Sequence, residues 1–245
     1  RMPIAADVPD CVKNLMEVCW HQDPNERPSF ETIVQLLEKR IIPLLQHMEA
    51  THSITTSIPN TDAQDFWTRN FHTREIVPMV EFLRVLSEEA GGFSSDDESY
   101  IRAILSQIKE NSEESISRIG FGKIIAWYGP LKVNHRIVLH ERIIQLAKQK
   151  WFHGYSKTAE GGLKNETPGT FLIRLSTDRP GIFTVSVNIR GDAYSRRIDM
   201  RDGVFCFEWG GIEYRGATLE MLVNSMKNAD NNAFSTICER PPLRQ

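Results

Sequence analysis

The chain has 245 residues, with 29 Lys and Arg against 32 Asp and Glu, a formal net charge of −3. At 40% hydrophobic and 25% charged residues it has the composition of a soluble globular protein, with chain enough for about one to three domains. No apolar run approaches the ~20 residues that span a bilayer, and the near-neutral balance argues against a general nucleic-acid binder. Cys11, Cys19, Cys206 and Cys238 are too few and too scattered for a disulfide framework or a C-x-x-C metal site, so a reducing, cytoplasmic setting is expected. The sequence starts at Arg1 rather than Met with no charged-then-apolar leader, and reads as a piece of something longer.

In chain order, residues 1–45 form the first block. Val12, Leu15, Met16 and Cys19, then Ile33, Leu36, Leu37 and Ile41, recur at helix spacing. The polar breaker Asp23–Ser29 separates the two stripes, and Ser29 followed by Thr32 marks a helix start. Residues 46–60 read as a linker. Residues 61–130 predict four amphipathic helices, from stripes at Phe66/Trp67, Val80/Leu83/Leu86, Ile101/Ile104/Leu105/Ile108 and Ile124/Ile125/Trp127. The breaks fall at His72-Thr73, Gly91-Gly92 and Asn111-Ser112. Residues 131–150 carry a connector helix along Arg136–Lys150. In residues 151–240 the period changes to two, at Thr170–Leu175, Gly181–Val187 and Tyr194–Ile198, and a last helix carries Leu219, Leu222 and Met226. The expected fold class is α+β and multidomain, with a central antiparallel sheet flanked by two helices at the end.

The first block carries Leu15-Met16-x-x-Cys19-Trp20-x-x-Asp23-Pro24-x-x-Arg27-Pro28-Ser29-Phe30. This resembles the last subdomain of a tyrosine or tyrosine-like protein kinase. The resemblance implies that Arg27 pairs with a buried glutamate ending the activation segment, a glutamate outside this chain. The glycine-rich phosphate cover, the ATP-orienting Lys, and the His-Arg-Asp and Asp-Phe-Gly motifs are all absent. No phosphoryl transfer is expected of these residues, no cofactor is expected in this piece, and ATP and Mg are expected only of a full-length kinase.

In the middle, Asn111-Ser-Glu-Glu-Ser and Asp96-Asp97-Glu98 raise a calcium reading. With Ile116 at the apolar eighth position of an EF-hand loop, Lys109 stands first and Gly120 last, which removes both anchoring carboxylates. The same register around Ile76 puts Arg69 first and Val80 last. The sequence therefore predicts the scaffold without the ion, and the acids as solvated helix surface. Asp62-Ala-Gln-Asp-Phe-Trp, Ile76-Val77-Pro78 and Phe121–Tyr128 are similar to the EF-hand-like region of Cbl-type ubiquitin ligases.

The last block is the most informative about function. Arg174 lies inside the apolar run Phe171-Leu-Ile-Arg-Leu, and alternation leaves it sharing a face with Leu172, partly buried. A buried arginine needs an anion, internal or external. From Phe171 to Arg201 six Arg stand against three Asp, Ser176 and Thr177 supply hydroxyls after the strand, and Arg179 adds a second guanidinium. Arg196 and Arg197 face opposite ways, so alternation admits at most one of them to the pocket of Arg174. Trp151-Phe-His-Gly and Pro168-Gly-Thr-Phe-Leu-Ile-Arg-Leu-Ser closely resemble the Src-homology-2 (SH2) domain. The resemblance implies phosphotyrosine binding by Arg174, Ser176, Thr177, Arg179 and Arg197, with Ser195 a weaker member. The second phosphate-binding arginine usual in the first helix is missing, and Lys157 offers a point charge in its place.

Kinase before SH2 resembles the Shk-type kinases, some of which are dual-specificity. The expected partners are tyrosine-phosphorylated proteins or peptides and the chain's own kinase domain, with no nucleic acid and no transmembrane segment, and recruitment to a membrane through phosphorylated partners. Two alternatives stand beside this reading. A Cbl-type adaptor is opposed by the kinase ending and by the lack of a Cys/His-rich ligase module. A STAT-like linker with an SH2 domain predicts a tyrosine after Tyr214, and there is none.

Overall fold

The computed structural model describes residues 4–5, 8–45, 56–155, 159–176, 178–229 and 233–238. It divides into two compact units, Arg1–Thr56 and Ser57–Gln245. Lys157, Thr177 and most of the expected linker lie outside the described residues.

In the first unit, α1 (Asp10–Cys19) and α2 (Phe30–Leu36) carry the two stripes read from the sequence, and α2 runs on into a π-turn at Leu37–Ile41. The breaker between them is a 3-10 turn, Pro24–Glu26, whose cap Asp23 accepts from the Asn25 N–H. Ser29 caps α2 by accepting from the Thr32 N–H at 3.2 Å. Arg27 is exposed, and its Nε donates to the His21 carbonyl at 2.9 Å. Val18, Phe30 and Val34 are exposed, Phe30 at 85%.

The second unit opens with the four expected helices: α3 (Thr61–Phe71), α4 (Met79–Ala90), α5 (Ser95–Ser106) and α6 (Arg118–Tyr128). Asn60, Ser94 and Ser117 cap α3, α5 and α6, each accepting from the N–H three residues on. Their apolar stripes meet in an aromatic core of Phe66, Trp67, Phe71, Phe82 and Phe121, all fully buried. Strands β1 (Ile76–Pro78) and β2 (Ser115–Ser117) pair antiparallel and set Val77 opposite Ile116. This is the paired-loop scaffold of an EF-hand unit. Inside it, Asn111 Oδ1 accepts from the Ser117 N–H at 2.9 Å, and Asn111 Nδ2 donates to the Leu105 carbonyl at 2.9 Å. A Cβ on Gly120 would overlap the same carboxamide.

The connector helix α7 spans Leu139–Ala147, shorter than the expected Arg136–Lys150. Arg136 and Ile137 form β4, which pairs with β3 (Lys132–Val133). Asn134 and His135 join these strands with φ of 49° and 65°, the left-handed pair that a two-residue hairpin requires.

The final sheet has the order β10-β5-β6-β7-β8-β9. Its strands are β5 (Thr170–Leu175), β6 (Phe183–Ile189), β7 (Asp192–Arg201), β8 (Val204–Trp209), β9 (Ile212–Gly216) and β10 (Thr236–Ile237). Two helices accompany it, α8 (Ala159–Leu163) and α9 (Leu219–Lys227). The sheet is mixed rather than purely antiparallel, because β10 returns after α9 to run parallel to β5. Alternation sorts the strands: Phe171, Ile173, Val185 and Val187 share one face, and Arg174, Thr184, Ser186 and Asn188 share the other. On that polar face Asn188 Nδ2 donates to the carbonyls of Leu163 and Glu166, which ties the end of α8 to the sheet. β7 pairs with β6 over residues 192–198 but with β8 only over 199–201. The outer edge of its first half is therefore open.

Candidate functional site

Cross-strand register assembles the site. Arg174 on β5 stands opposite Thr184 on β6, which stands opposite Arg197 on β7, so the two arginines share one face in one row. Arg174 is 9% exposed, and its Nη1 lies 3.4 Å from the Leu175 carbonyl. An open cavity of about 880 Å³ lies over it, lined among others by Ser176, Arg179, Ser195 and Arg197. Five of the seven phosphate-site residues expected from the sequence thus come together; Lys157 and Thr177 lie outside the described residues. Arg27 belongs to the first unit.

The loop after β5 is held from two directions. The Ser176 N–H donates to the Ile182 carbonyl at 2.9 Å, and the Ile182 N–H donates to the Arg179 carbonyl at 3.2 Å. The Ile182 carbonyl also accepts from the Trp127 indole N–H at 2.9 Å, so α6 braces this loop from the helical region. A second tie to the helical region is Gln107, whose Oε1 accepts from the Tyr155 N–H at 2.8 Å. Gly154, at φ 60°, passes so close that a Cβ there would overlap this amide.

Asp178 is a member that sequence reasoning missed. Its carboxylate accepts from Ser176 Oγ at 2.7 Å and from Arg197 Nη2 at 2.6 Å. The Ser176 hydroxyl and then the Arg197 guanidinium hold this carboxyl below the usual carboxylate range. The Ser-x-Asp spacing directly after an apolar strand was the available signal. Ser195 reaches the cavity while its Oγ shares a 2.7 Å hydrogen bond with Ser186 Oγ.

Arg196 corrects the expectation that only one of the two adjacent arginines shares the pocket. The pair do face opposite ways, yet both line the cavity, because it continues around the open edge of β7. Arg196 lies over the Trp209 ring, 5.6 Å from its centroid. The cavity wall holds five arginines against Asp178, Asp199 and Glu208, a lining with an excess of positive charge.

The described part of the first block is two helices and a proline-bounded loop, without a glycine-rich cover or an Asp-Phe-Gly carboxylate. These residues do not fit ATP and Mg. Among the described residues no helix is long and apolar enough to cross a membrane.

Three families match successive parts of the chain. Residues 1–37 match the protein tyrosine and serine/threonine kinase family, residues 56–137 the EF-hand-like domain of the Cbl proto-oncogene N-terminus, and residues 151–224 the SH2 domain. Dual specificity protein kinase shkC of Dictyostelium discoideum is 29% identical over 223 residues, covering 83% of this chain and 41% of that protein. Dual specificity protein kinase shkA of the same organism is 29% identical over 231 residues, covering 84% of this chain and 41% of that protein. Human suppressor of cytokine signaling 6 is 32% identical over 117 residues, covering 46% of this chain and 21% of that protein. The chain thus spans about 41% of the length of the two Dictyostelium kinases. A kinase tail, an EF-hand-like helical region and an SH2 domain, in that order, match the architecture of the Shk-type dual-specificity kinases.

Proposed function

We propose that residues 151–240 bind tyrosine-phosphorylated segments of partner proteins, and that this binding targets or regulates a cytoplasmic protein kinase of which the chain is part. In this reading the phosphoryl group sits on Arg174, with Ser176, Arg179 and Arg197 as further donors and Ser195, Thr177 and Lys157 at the margin. The observation that carries it is the position of Arg174: buried, at the base of an open arginine-rich cavity, and in one row with Arg197. A phosphotyrosine brings about −1.5 to −2 charges and three acceptor oxygens, which a guanidinium fork can meet with paired hydrogen bonds.

Depth supports tyrosine over serine. Arg174 lies two strand spacings in from the open edge of β7, roughly 10 Å. A phosphoryl group that far from the ligand's main chain calls for a long, rigid side chain. The whole protein's kinase activity, with ATP and Mg, and its coupling to the SH2 domain or its recruitment to a membrane through phosphorylated partners, follow from the same reading. So does the division into 1–45, 46–60, 61–130, 131–150 and 151–240.

The test is titration of one peptide in its phosphotyrosine, phosphoserine and unmodified forms against the wild type and Arg174→Ala. Only the phosphotyrosine form should bind well. Truncating one partner of a buried charge pair costs ~2–5 kcal/mol, so Arg174→Ala should weaken it at least about thirtyfold. An affinity within twofold of wild type in a folded Arg174→Ala variant overturns the assignment.

A further inference from the structure

A second cleft, of about 560 Å³, lies where the helical region meets the sheet domain, and it shares no lining residue with the arginine cavity. Phe183 stands opposite Leu175 in the β5–β6 register, so alternation turns it to the face of the sheet away from Arg174. The walls are aromatic: Trp127 from α6, Trp151, and Phe183 with Phe205, whose rings meet edge to face with centroids 6.0 Å apart. Two opposite charges also line the cleft. Arg142 on α7 is held by its Nη1, which donates to the carbonyls of Tyr128 and Pro130 at 3.1 Å, and Glu220 stands in the first turn of α9. Among the described residues neither charge has an ion-pair partner. The hydroxyl of Tyr128, another lining residue, is buried without a hydrogen-bond partner. A cleft of this size, with apolar walls and a few convergent polar groups, has the make-up of a small-molecule site.

The charges decide which small molecule fits. A wholly apolar ligand would take water from Arg142 and Glu220 and return nothing, and a ligand with one charge would leave the other unmet. The matching chemistry is an aromatic ring that carries a carboxylate and an ammonium together. We infer that this cleft binds a free aromatic amino acid, its ring among the four aromatic side chains, its carboxylate on Arg142 and its ammonium on Glu220, and that the bound molecule strengthens phosphopeptide binding through Trp127. The second half rests on the phosphotyrosine reading above. Trp127 is shared between the two places: its ring lines the cleft, and its indole N–H donates at 2.9 Å to the Ile182 carbonyl, which also accepts from the Ser176 N–H of the phosphate loop. A ring packed against Trp127 fixes that indole and with it the loop, so ordering gained at one site need not be gained again at the other.

The test is titration of the full chain with L-phenylalanine, with phenylpropionate, which lacks the ammonium, and with phenethylamine, which lacks the carboxylate, followed by the indole N–H resonances of Trp127 and Trp151. L-phenylalanine should bind with a dissociation constant of about a millimolar, the scale for a ligand of its size. It should bind about two- to fivefold more tightly than either analogue, the range of one exposed ion pair. Glu220→Gln should erase its advantage over phenylpropionate, and Arg142→Gln its advantage over phenethylamine. Glu220 is exposed, so its variant tests the ligand even if Arg142→Gln fails to fold. Gln145→Trp, at an exposed position on the wall, should close the cleft to all three. No saturable shift in wild type, or binding unchanged in Gln145→Trp, overturns the site, and an analogue that equals L-phenylalanine overturns the amino-acid assignment. With a phosphotyrosine peptide as second ligand, saturating L-phenylalanine should raise peptide affinity at least about twofold. Trp127→Phe keeps a ring but loses the N–H, and should remove that gain while L-phenylalanine still binds. A peptide affinity that L-phenylalanine leaves unmoved overturns the coupling alone. Absence of phosphopeptide binding in wild type overturns the phosphotyrosine reading and the coupling with it, and the direct titration still decides the cleft.

Discussion

The helical region and the sheet domain each contain a place where a charged ligand could sit. In the loop that ends at Gly120, the Asn111 carboxamide reaches inward, takes the Ser117 N–H and gives its own to the Leu105 carbonyl. Gly120 leaves room for that side chain, so these two backbone groups are met from within. Around Arg174 the lining faces solvent instead. A row of Arg174, Thr184 and Arg197 looks into an open cavity whose arginines outnumber its acids. Asp178 engages two donors, but from an exposed loop position. A site satisfied by its own buried side chain holds a fold together, whereas one with excess charge facing solvent is poised for a ligand.

The largest expected effect is at the open site. Arg174→Lys keeps the charge but loses the paired donors, so phosphopeptide affinity should fall by about tenfold or more in calorimetric titration. Affinity equal to wild type would mean that a point charge suffices there. At the closed site, Gly120→Glu restores the missing twelfth carboxylate but drives a side chain into the space of Asn111. It should lower stability in urea by ~1–3 kcal/mol, the range for forced overpacking, without gaining calcium binding. A stable variant that binds calcium would show that the Asn111 network gives way easily.

A smaller effect is expected at Asp178. Its ion pair with Arg197 is solvent-exposed and worth ~0.2–1 kcal/mol. Asp178→Asn frees Ser176 and Arg197 from a full negative charge, so phosphopeptide affinity should rise about two- to fivefold. A fall would assign Asp178 to ordering the loop rather than to competing with the phosphate. The smallest effect is none: calcium added to the wild-type chain should leave its melting temperature unchanged, and a stoichiometric site tighter than ~10⁻⁵ M would erase the contrast between the two regions.

Much of this was legible in the sequence because it depends on local period and on residue chemistry. Phe66/Trp67, Leu83/Leu86 and Ile101/Ile104 repeat at helix spacing, and those helices form where the repeats fall. Arg174 stood out as one charge inside an apolar strand, and Lys109 with Gly120 removed the anchoring ligands of the calcium loop. Other features depend on partners distant along the chain. The parallel pairing of β10 with β5 involves two residues without a strand signal of their own, and it forms because the chain returns there after α9. Asn111 filling the space above Gly120, and Trp127 holding the Ile182 carbonyl, are contacts between elements that no period announces. Alternation correctly turned Arg196 and Arg197 to opposite faces. That both line one cavity was decided by β8 pairing with only the last residues of β7, which leaves an edge that the cavity wraps around.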